Sequence, residues 1–72
     1  MEDKYKIPFV NACIRAFAKR FQLPLKNAFL YLFHHKGVQF LDDFYDAEHL
    51  GSIDDAVNDL IIICGQNGGK LK

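Results

Sequence analysis

Hydrophobic positions near the end of the chain repeat with the period of an α-helix. The spacing i, i+3, i+4, i+7, i+8, i+11 places six apolar residues on one helical face: Ile53, Ala56, Val57, Leu60, Ile61 and Cys64. Ser52, with Asp55 three residues later, resembles a capping box at the start of a helix. Gly65 is typical of the residue that ends one. Because Ile62 and Ile63 lie outside the stripe, we expect other elements to cover this final helix on more than one side.

The run from Leu60 to Cys64 also allows a different interpretation. Five consecutive apolar residues rich in β-branching are typical of a strand buried in a sheet. The cap and the helical period upstream continue into this run without a break. We therefore predict the helix, with a buried strand as the alternative.

Two earlier segments have the same helical period, and each begins at a proline, which suits the first turn of a helix. The first is predicted from Pro8 to about Phe21, and the second from Pro24 to about His35, ended by Gly37. The stripe of the first helix comprises Val10, Cys13, Ile14, Phe17 and Phe21. The residues of the second helix expected to face inward are Leu25, Ala28, Phe29 and Leu32, flanked by Phe33.

A short third helix is predicted from Val38 to Tyr45, anchored by Phe40, Leu41 and Phe44. Residues 46–51 then turn the chain into the final helix. Connections this short imply that neighbouring helices pack roughly antiparallel. The sequence predicts an all-α domain of three longer helices and one short helix, with the C-terminal helix in the centre.

The length of 72 residues predicts a single domain, residues 1–72, with a polar leader at residues 1–6 and a loose tail at residues 66–72. We expect no signal peptide and no membrane span, since no apolar run has the required length. Cys13 and Cys64 are far apart and lie on apolar stripes. They indicate reduced thiols and a cytoplasmic location.

The net charge is zero, but it is unevenly distributed along the chain. Residues 1–37 contain seven Lys or Arg and two acids, which gives +5, whereas residues 38–72 contain two Lys and seven acids, which gives −5. One explanation is that the two halves pack together and complement each other. The other is self-association or a partner of opposite charge, because such fields steer encounter.

The residues usually needed for a metal site or for catalysis are poorly arranged. His34 and His35 are adjacent, so on a helix they point about 100° apart and cannot readily share one ion. Ser52 is the only serine and is assigned to the cap, there is no threonine, and both cysteines lie on core stripes. We therefore predict no metal, no cofactor and no enzymatic activity.

Nucleic-acid binding is the alternative function. The first helix carries Arg15, Lys19 and Arg20, and the tight junction at Gly37 loosely resembles a helix-turn-helix. The third helix, however, carries two adjacent acids at residues 42–43, which a phosphate backbone would repel, and the domain has no net positive charge. A weak nucleic-acid-binding domain therefore ranks second.

Tyr45, Asp46 and His49 form the candidate binding site. Asp46 and His49 are three residues apart, so on a helical turn the acid could fix the imidazole tautomer, beside an aromatic ring with a polar tip. Preorganised amphipathic groups of this kind are typical of interface anchors. The alternative is that these residues only satisfy backbone groups in a tight turn.

Four short motifs resemble those of a known family. They are Phe9-Val10 with Cys13-Ile14, Ala28–Gly37, Tyr45-Asp46 with His49 and Gly51, and Val57 with Asp59-Leu60. On these the chain resembles a family of short bacterial proteins known as domain of unknown function 3791. Members usually have Thr after this His, where the chain has Leu50.

The resemblance implies a bacterial protein without an established activity. Some members of the family are encoded near proteins that resemble ADP-ribosyltransferase-type toxins, which implies an accessory or antitoxin-like partner protein. Together with the residue patterns, this predicts a cytoplasmic, non-enzymatic protein-interaction module. Its partner is expected to be another protein, with a second copy of the chain as a further candidate.

Overall fold

The computed structural model describes residues 4–70. Its five helices are α1 (Lys6–Phe21), α2 (Leu25–His34), α3 (Gly37–Asp43), α4 (Tyr45–Glu48) and α5 (Ile53–Gln66). No strand occurs in the described part of the chain. The all-α prediction is confirmed, and the buried strand considered for part of α5 is wrong. The outermost parts of the expected leader and tail, residues 1–3 and 71–72, lie outside the described residues.

The short helix predicted from Val38 to Tyr45 is α3, which ends at Asp43, and a further helix, α4, begins at Tyr45 and occupies part of the segment predicted as a turn. Phe44, with φ −112° and ψ 23°, leaves the helical conformation and is both the C-cap of α3 and the N-cap of α4. Its N–H donates to the carbonyl of Phe40 at 2.9 Å, and its own carbonyl accepts from the N–H of Glu48 at 2.8 Å. The chain therefore bends here and gains the one-turn helix α4.

Both glycines expected to end helices have other roles. Gly65 lies inside α5, which continues to Gln66 and is capped by Asn67. The Asn67 side chain donates to the carbonyl of Ile63 at 2.8 Å. Gly37 is the buried first residue of α3, and the left-handed residue that follows α2 is Lys36, with φ 68°.

Part of the expected tail is held against the domain by hydrogen bonds. The N–H of Gly69 donates to the carbonyl of Cys64 at 2.8 Å. His35 Nδ1 lies 3.1 Å from the carbonyl oxygen of Asn67, so this ring nitrogen carries the proton and donates it. The end of α5 is thereby joined to the end of α2.

The core is shared between the first and last helices, which contribute four buried residues each. α1 packs against α2, α3 and α5, and α5 packs against α1 and α3. The predicted cap is confirmed, since Ser52 Oγ accepts from the N–H of Asp55 at 3.0 Å. The buried residues of the two helices are Cys13, Ile14, Phe17, Ala18, Ala56, Val57, Leu60 and Cys64.

Four large apolar side chains expected to be covered are exposed: Leu25, Phe29, Phe44 and Ile62. Leu25 and Phe29 were predicted to face inward, but in α2 only Ala28 and Leu32 are buried. A domain of this size has too little interior to cover more than one stripe of each helix. This shortage of interior creates the surface described below.

Two ion pairs join the basic first half of the chain to the acidic second half. Lys6 Nζ lies 3.0 Å from Asp42 Oδ1. At the other end of α1, Arg20 Nη1 donates to Asn58 Oδ1 at 3.1 Å, and its Nη2 lies 3.9 Å from Asp54 Oδ1. These contacts agree with the explanation that the two halves complement each other within one molecule.

Candidate binding surface

The turn of α4 brings two of the three predicted site residues together. The rings of Tyr45 and His49 are stacked, with centroids 4.3 Å apart and planes 7° apart. His49 Nδ1 lies 2.6 Å from the carbonyl oxygen of Tyr45. Because a carbonyl only accepts, Nδ1 carries the proton, and Nε2 is the nitrogen that remains for an external partner.

Tyr45 also connects this turn to the start of α1. Its ring packs edge-on against Phe9, with centroids 5.5 Å apart, and Lys6 Nζ lies 6.0 Å from its centroid. Tyr45 is therefore half-buried, whereas His49 is exposed. The aromatic stack is held from two sides, by its own helix and by α1.

Asp46 does not join this arrangement. The tautomer of His49 is fixed by the Tyr45 carbonyl, so the expected pairing of Asp46 with the imidazole is wrong. Asp46 is exposed in the first turn of α4. Of the predicted site, the structure assembles the tyrosine and the histidine and leaves the acid beside them.

A second apolar stripe runs along the outside of α2. Leu25, Phe29 and Phe33 follow one another at intervals of four residues and are 51%, 42% and 58% exposed. The rings of Phe29 and Phe33 stack with centroids 5.9 Å apart. Exposed apolar residues are common singly, but a continuous stripe of large ones marks a binding surface more often than a bare exterior.

This stripe forms one wall of an open groove between α1, α2 and α3. The groove has a volume of about 820 Å³, and its apolar lining also includes Val10, Ile14, Val38 and Ile7, which is 61% exposed. A second hollow of about 440 Å³ continues along α2 toward Leu25 and shares Ile14 and Phe29 with the first. We refer to the two together as the α2 groove.

The charges around the α2 groove are predominantly positive. Four of the nine Lys and Arg residues line it, namely Lys6, Arg15, Lys26 and Lys36, whereas of the acids within residues 4–70 only Asp42 does. The lining therefore carries +3, and the rest of the chain carries −3. Asp42 is itself paired with Lys6 at 3.0 Å.

The sequence did contain a signal for the α2 groove, although the initial interpretation missed it. In α2, Leu25 and Ala28–Phe33 are all apolar, which is more than one helical face can hold. A helix that is apolar on several sides is either surrounded by protein or leaves one apolar face exposed to solvent. In a domain of 72 residues the second outcome could have been predicted.

Two titratable groups with raised pKa values, the thiols of Cys13 and Cys64, line neither part of the α2 groove. Burial raises the pKa of the Cys13 thiol to about 11, with a smaller contribution from the nearby Glu48. Burial also raises the pKa of Cys64 to about 11, although a hydrogen bond from the Gly37 backbone opposes it. Both thiols are therefore protonated at neutral pH and are poor nucleophiles.

Residues 4–70 contain no group of three or more His, Cys, Asp or Glu side chains that could hold a metal ion. None of the described helices is long and apolar enough to cross a bilayer. These residues form an apolar groove with basic side chains in its lining and, across Lys6, a stacked tyrosine–histidine pair.

Fold and surface together define a small all-α domain with an exposed apolar groove. The sequence model of one protein family, described as a protein of unknown function, DUF3791, matches residues 8–67. The chain belongs to this family, as its motifs predicted. No curated protein and no solved structure matches it.

Proposed function

We propose that this protein is a non-enzymatic protein-interaction module whose binding surface is the α2 groove. The observation that carries the proposal is the exposed stripe of Leu25, Phe29 and Phe33 along one wall. Fully burying a large apolar side chain is worth about 1.5–3 kcal/mol, and these three side chains, each about half exposed, forgo part of that free energy. A partner that covers the stripe recovers this free energy.

The shape of the α2 groove suits another protein. Its apolar residues follow the helix axis and extend along α2, a helix of 10 residues or about 15 Å. Grooves of this form receive amphipathic segments, whose anchors occupy successive turns. The thiols of Cys13 and Cys64 are protonated and lie in neither part of the groove. Their state and position favour a binding role over a catalytic one.

Tyr45 and His49 are proposed as a secondary contact beside the α2 groove. Lys6 both lines the groove and lies over the Tyr45 ring, so the two features adjoin. A partner that extends past the end of the groove meets the exposed imidazole of His49, whose Nδ1 is already bonded to the Tyr45 carbonyl. Asp46 is retained in the proposal as an exposed acid on the same turn.

The cellular setting is part of the same proposal. Two unpaired buried cysteines are consistent with a reducing, cytoplasmic location. The family resemblance supports a role as an accessory or antitoxin-like partner of another bacterial protein. In such a role the α2 groove is the surface through which the partner is held.

A comparative pull-down tests the proposal. Wild type, Phe29→Gln/Phe33→Gln, and the matched control Leu50→Gln/Ile62→Gln are used as baits in lysate of the native host, and captured proteins are identified by mass spectrometry. The control removes two apolar side chains that are 79% and 57% exposed outside the α2 groove. We expect a partner that is retained by wild type and the control and lost from the groove variant. Partners captured equally by all three baits contradict the proposal.

Nucleic-acid binding remains the alternative, supported by the cationic side chains of Arg15 and Lys19 on α1. Arg20, the third member of that set, is engaged by Asn58 and Asp54 of α5. In a gel shift at low salt, we expect no complex with mixed duplex or single-stranded DNA. Salt-sensitive binding that Arg15→Glu/Lys19→Glu abolishes would favour the alternative.

A further inference from the structure

We propose that the segment bound in the α2 groove is an acidic amphipathic helix of another protein. The inference rests on the proposed function and adds the chemistry of the partner. It is drawn from three features: the charge of the groove edges, the spacing of its apolar wall and the position of Lys36.

The charge of the α2 groove selects against basic segments. Its lining carries +3 in a chain whose net charge is zero. Among the described residues, the one acid in its lining, Asp42, is already paired with Lys6. An acidic segment therefore meets Arg15, Lys26 and Lys36 without a facing carboxylate, whereas a basic segment meets repulsion along the whole groove. Such complementarity steers encounter and excludes wrong partners.

The spacing of the apolar wall selects a helix. Leu25, Phe29 and Phe33 lie four residues apart, so their side chains are offset by about 6 Å along the α2 axis. A partner helix with apolar residues at i, i+3 or i+4, and i+7 has nearly the same repeat, and its ridge can pack between these side chains. Acidic residues on its flanks then face the lysines at the edges.

Lys36 has a left-handed backbone conformation, which is more usual for Gly or Asn than for Lys. It follows α2 in the left-handed region, with φ 68°, where Gly or Asn is the usual residue. Its side chain lines the α2 groove near Phe33 and Val38. Gln22, with φ 53°, is the left-handed residue that follows α1, and it does not line either part of the groove. The two residues thus form a matched pair for mutation.

The test is a selection from displayed 14-residue helices. Their apolar positions follow the spacing i, i+3, i+4, i+7 and i+11 with Leu, Ile, Val or Phe, and their polar positions are randomised among Asp, Glu, Gln and Lys. The library is selected on the full-length wild-type chain, on Lys26→Glu/Lys36→Glu, and on Phe29→Gln/Phe33→Gln.

On wild type, we expect the polar positions of the selected helices to become rich in Asp and Glu. On Lys26→Glu/Lys36→Glu, this preference should disappear or reverse, and on Phe29→Gln/Phe33→Gln, enrichment should fall to background. Selected helices without a charge preference overturn the acidic partner but leave the proposed function intact. If no helix is enriched on wild type, the helical partner is wrong, and the pull-down decides separately whether the α2 groove binds a protein.

The best selected helix is then titrated against single variants by fluorescence anisotropy. Lys36→Asn should weaken binding about twofold to fivefold, as expected for one exposed charge pair, while Gln22→Asn leaves affinity unchanged. Both variants should melt at or slightly above the wild-type temperature, because Asn tolerates the left-handed conformation better. Equal affinities for the two variants contradict the role given to Lys36.

Two other occupants of the α2 groove, a second copy of the chain and DNA, are tested in the same experiments. Sedimentation of the wild-type chain alone should show a monomer. A dimer that Phe29→Gln/Phe33→Gln dissociates makes a second copy the occupant and overturns the inference. DNA that competes with the selected helix for the α2 groove overturns it as well.

Discussion

Glu48 is a residue whose protonation is tied to folding. It lies in α4, and its carboxyl group is close to those of Asp59 and Asp55 in the last helix. Partial burial, followed by these acidic neighbours, raises the pKa of Glu48 from 4.5 to about 7. The folded state therefore holds a proton on this group that the unfolded state releases near pH 4.5.

This difference predicts a stability that falls as pH rises. Between pH 4.5 and about 7 the folded chain binds more protons than the unfolded chain, so the free energy of unfolding decreases with pH across this window. Glu48→Gln removes the effect and should raise the free energy of unfolding at pH 8 by up to about 1 kcal/mol. This is less than the full pKa shift would give, because solvent screens the partly exposed carboxyl groups.

Denaturant melts at pH 5 and pH 8 measure the effect of Glu48→Gln. The variant should gain stability over wild type at pH 8 and little at pH 5. Asp46→Asn, at an exposed acid of the same helix, is the control and should reproduce the wild-type curves. If Glu48→Gln loses stability at pH 8, the carboxylate pair is not unfavourable and the account of Glu48 is wrong.

The two cysteines predict protection from thiol reagents. Cys13 and Cys64 are fully buried, and each has a pKa of about 11. Thiolate formation therefore requires the domain to open, and labelling by a coloured disulfide reagent at pH 7 should be slow and should accelerate with denaturant as unfolding does. Rapid labelling of one thiol in the native chain would show an exposed cysteine and a looser core.

At the scale of elements, α5 shows how far the sequence specifies the fold. Its cap, its stripe and its buried residues were all predictable, because Ser52 and the apolar period act locally. The bend at Phe44 was not, since no proline or glycine marks it. The exposed stripe of α2 was missed because an apolar pattern does not say how many faces the rest of the chain can cover.

The roles of Ser52 and Leu60 within α5 can be separated by their stability losses. Ser52→Ala removes one hydrogen bond at an exposed helix end and should cost about 1 kcal/mol. Leu60→Ala leaves a cavity beside fully buried neighbours and should cost roughly 2–5 kcal/mol. Denaturant melts compare the two. A Leu60→Ala variant within about 0.5 kcal/mol of wild type would exclude Leu60 from the core.

Two glycines should respond oppositely to alanine. A Cβ on Gly37 would lie 3.0 Å from Leu32 Cδ2 and 3.1 Å from Cys64 Sγ, so Gly37→Ala should push α3 from α2 and α5 and cost about 1–3 kcal/mol. A Cβ on Gly65 would meet no atom within 4 Å, and Gly65→Ala should stabilise α5 by about 0.5 kcal/mol. Thermal melts of both variants test whether α3 packs this closely at Gly37. A Gly37→Ala variant that melts above the wild type would contradict it.

At the scale of the whole molecule, the distribution of charge has two consequences. Lys6 and Arg20 at opposite ends of α1 pair with Asp42 and Asp54, so part of the split between the two halves is satisfied internally. Three further cations, Arg15, Lys26 and Lys36, line the α2 groove, where large apolar side chains are also exposed. The α2 groove is thus both apolar and basic.

The candidate site predicted from sequence and the surface found in the structure are neighbours, not the same set of residues. Tyr45 and His49 were found because three chemically distinctive residues lie close in sequence. The α2 groove combines α1, α2 and α3, so its residues lie far apart along the chain. Only the packing of the three helices brings them together, and no local motif encodes that.

The most direct test of the central claim is the footprint of the captured partner on this chain. Backbone amide shifts of the labelled 72-residue protein are recorded with and without the partner, using the control Leu50→Gln/Ile62→Gln in parallel. The account predicts the largest shifts at Ile7, Phe29 and Phe33, with smaller ones at Tyr45 and His49, in both proteins. A footprint confined to the outer face of α5, around Asn58 and Ile62, with the α2 groove unperturbed, would contradict it.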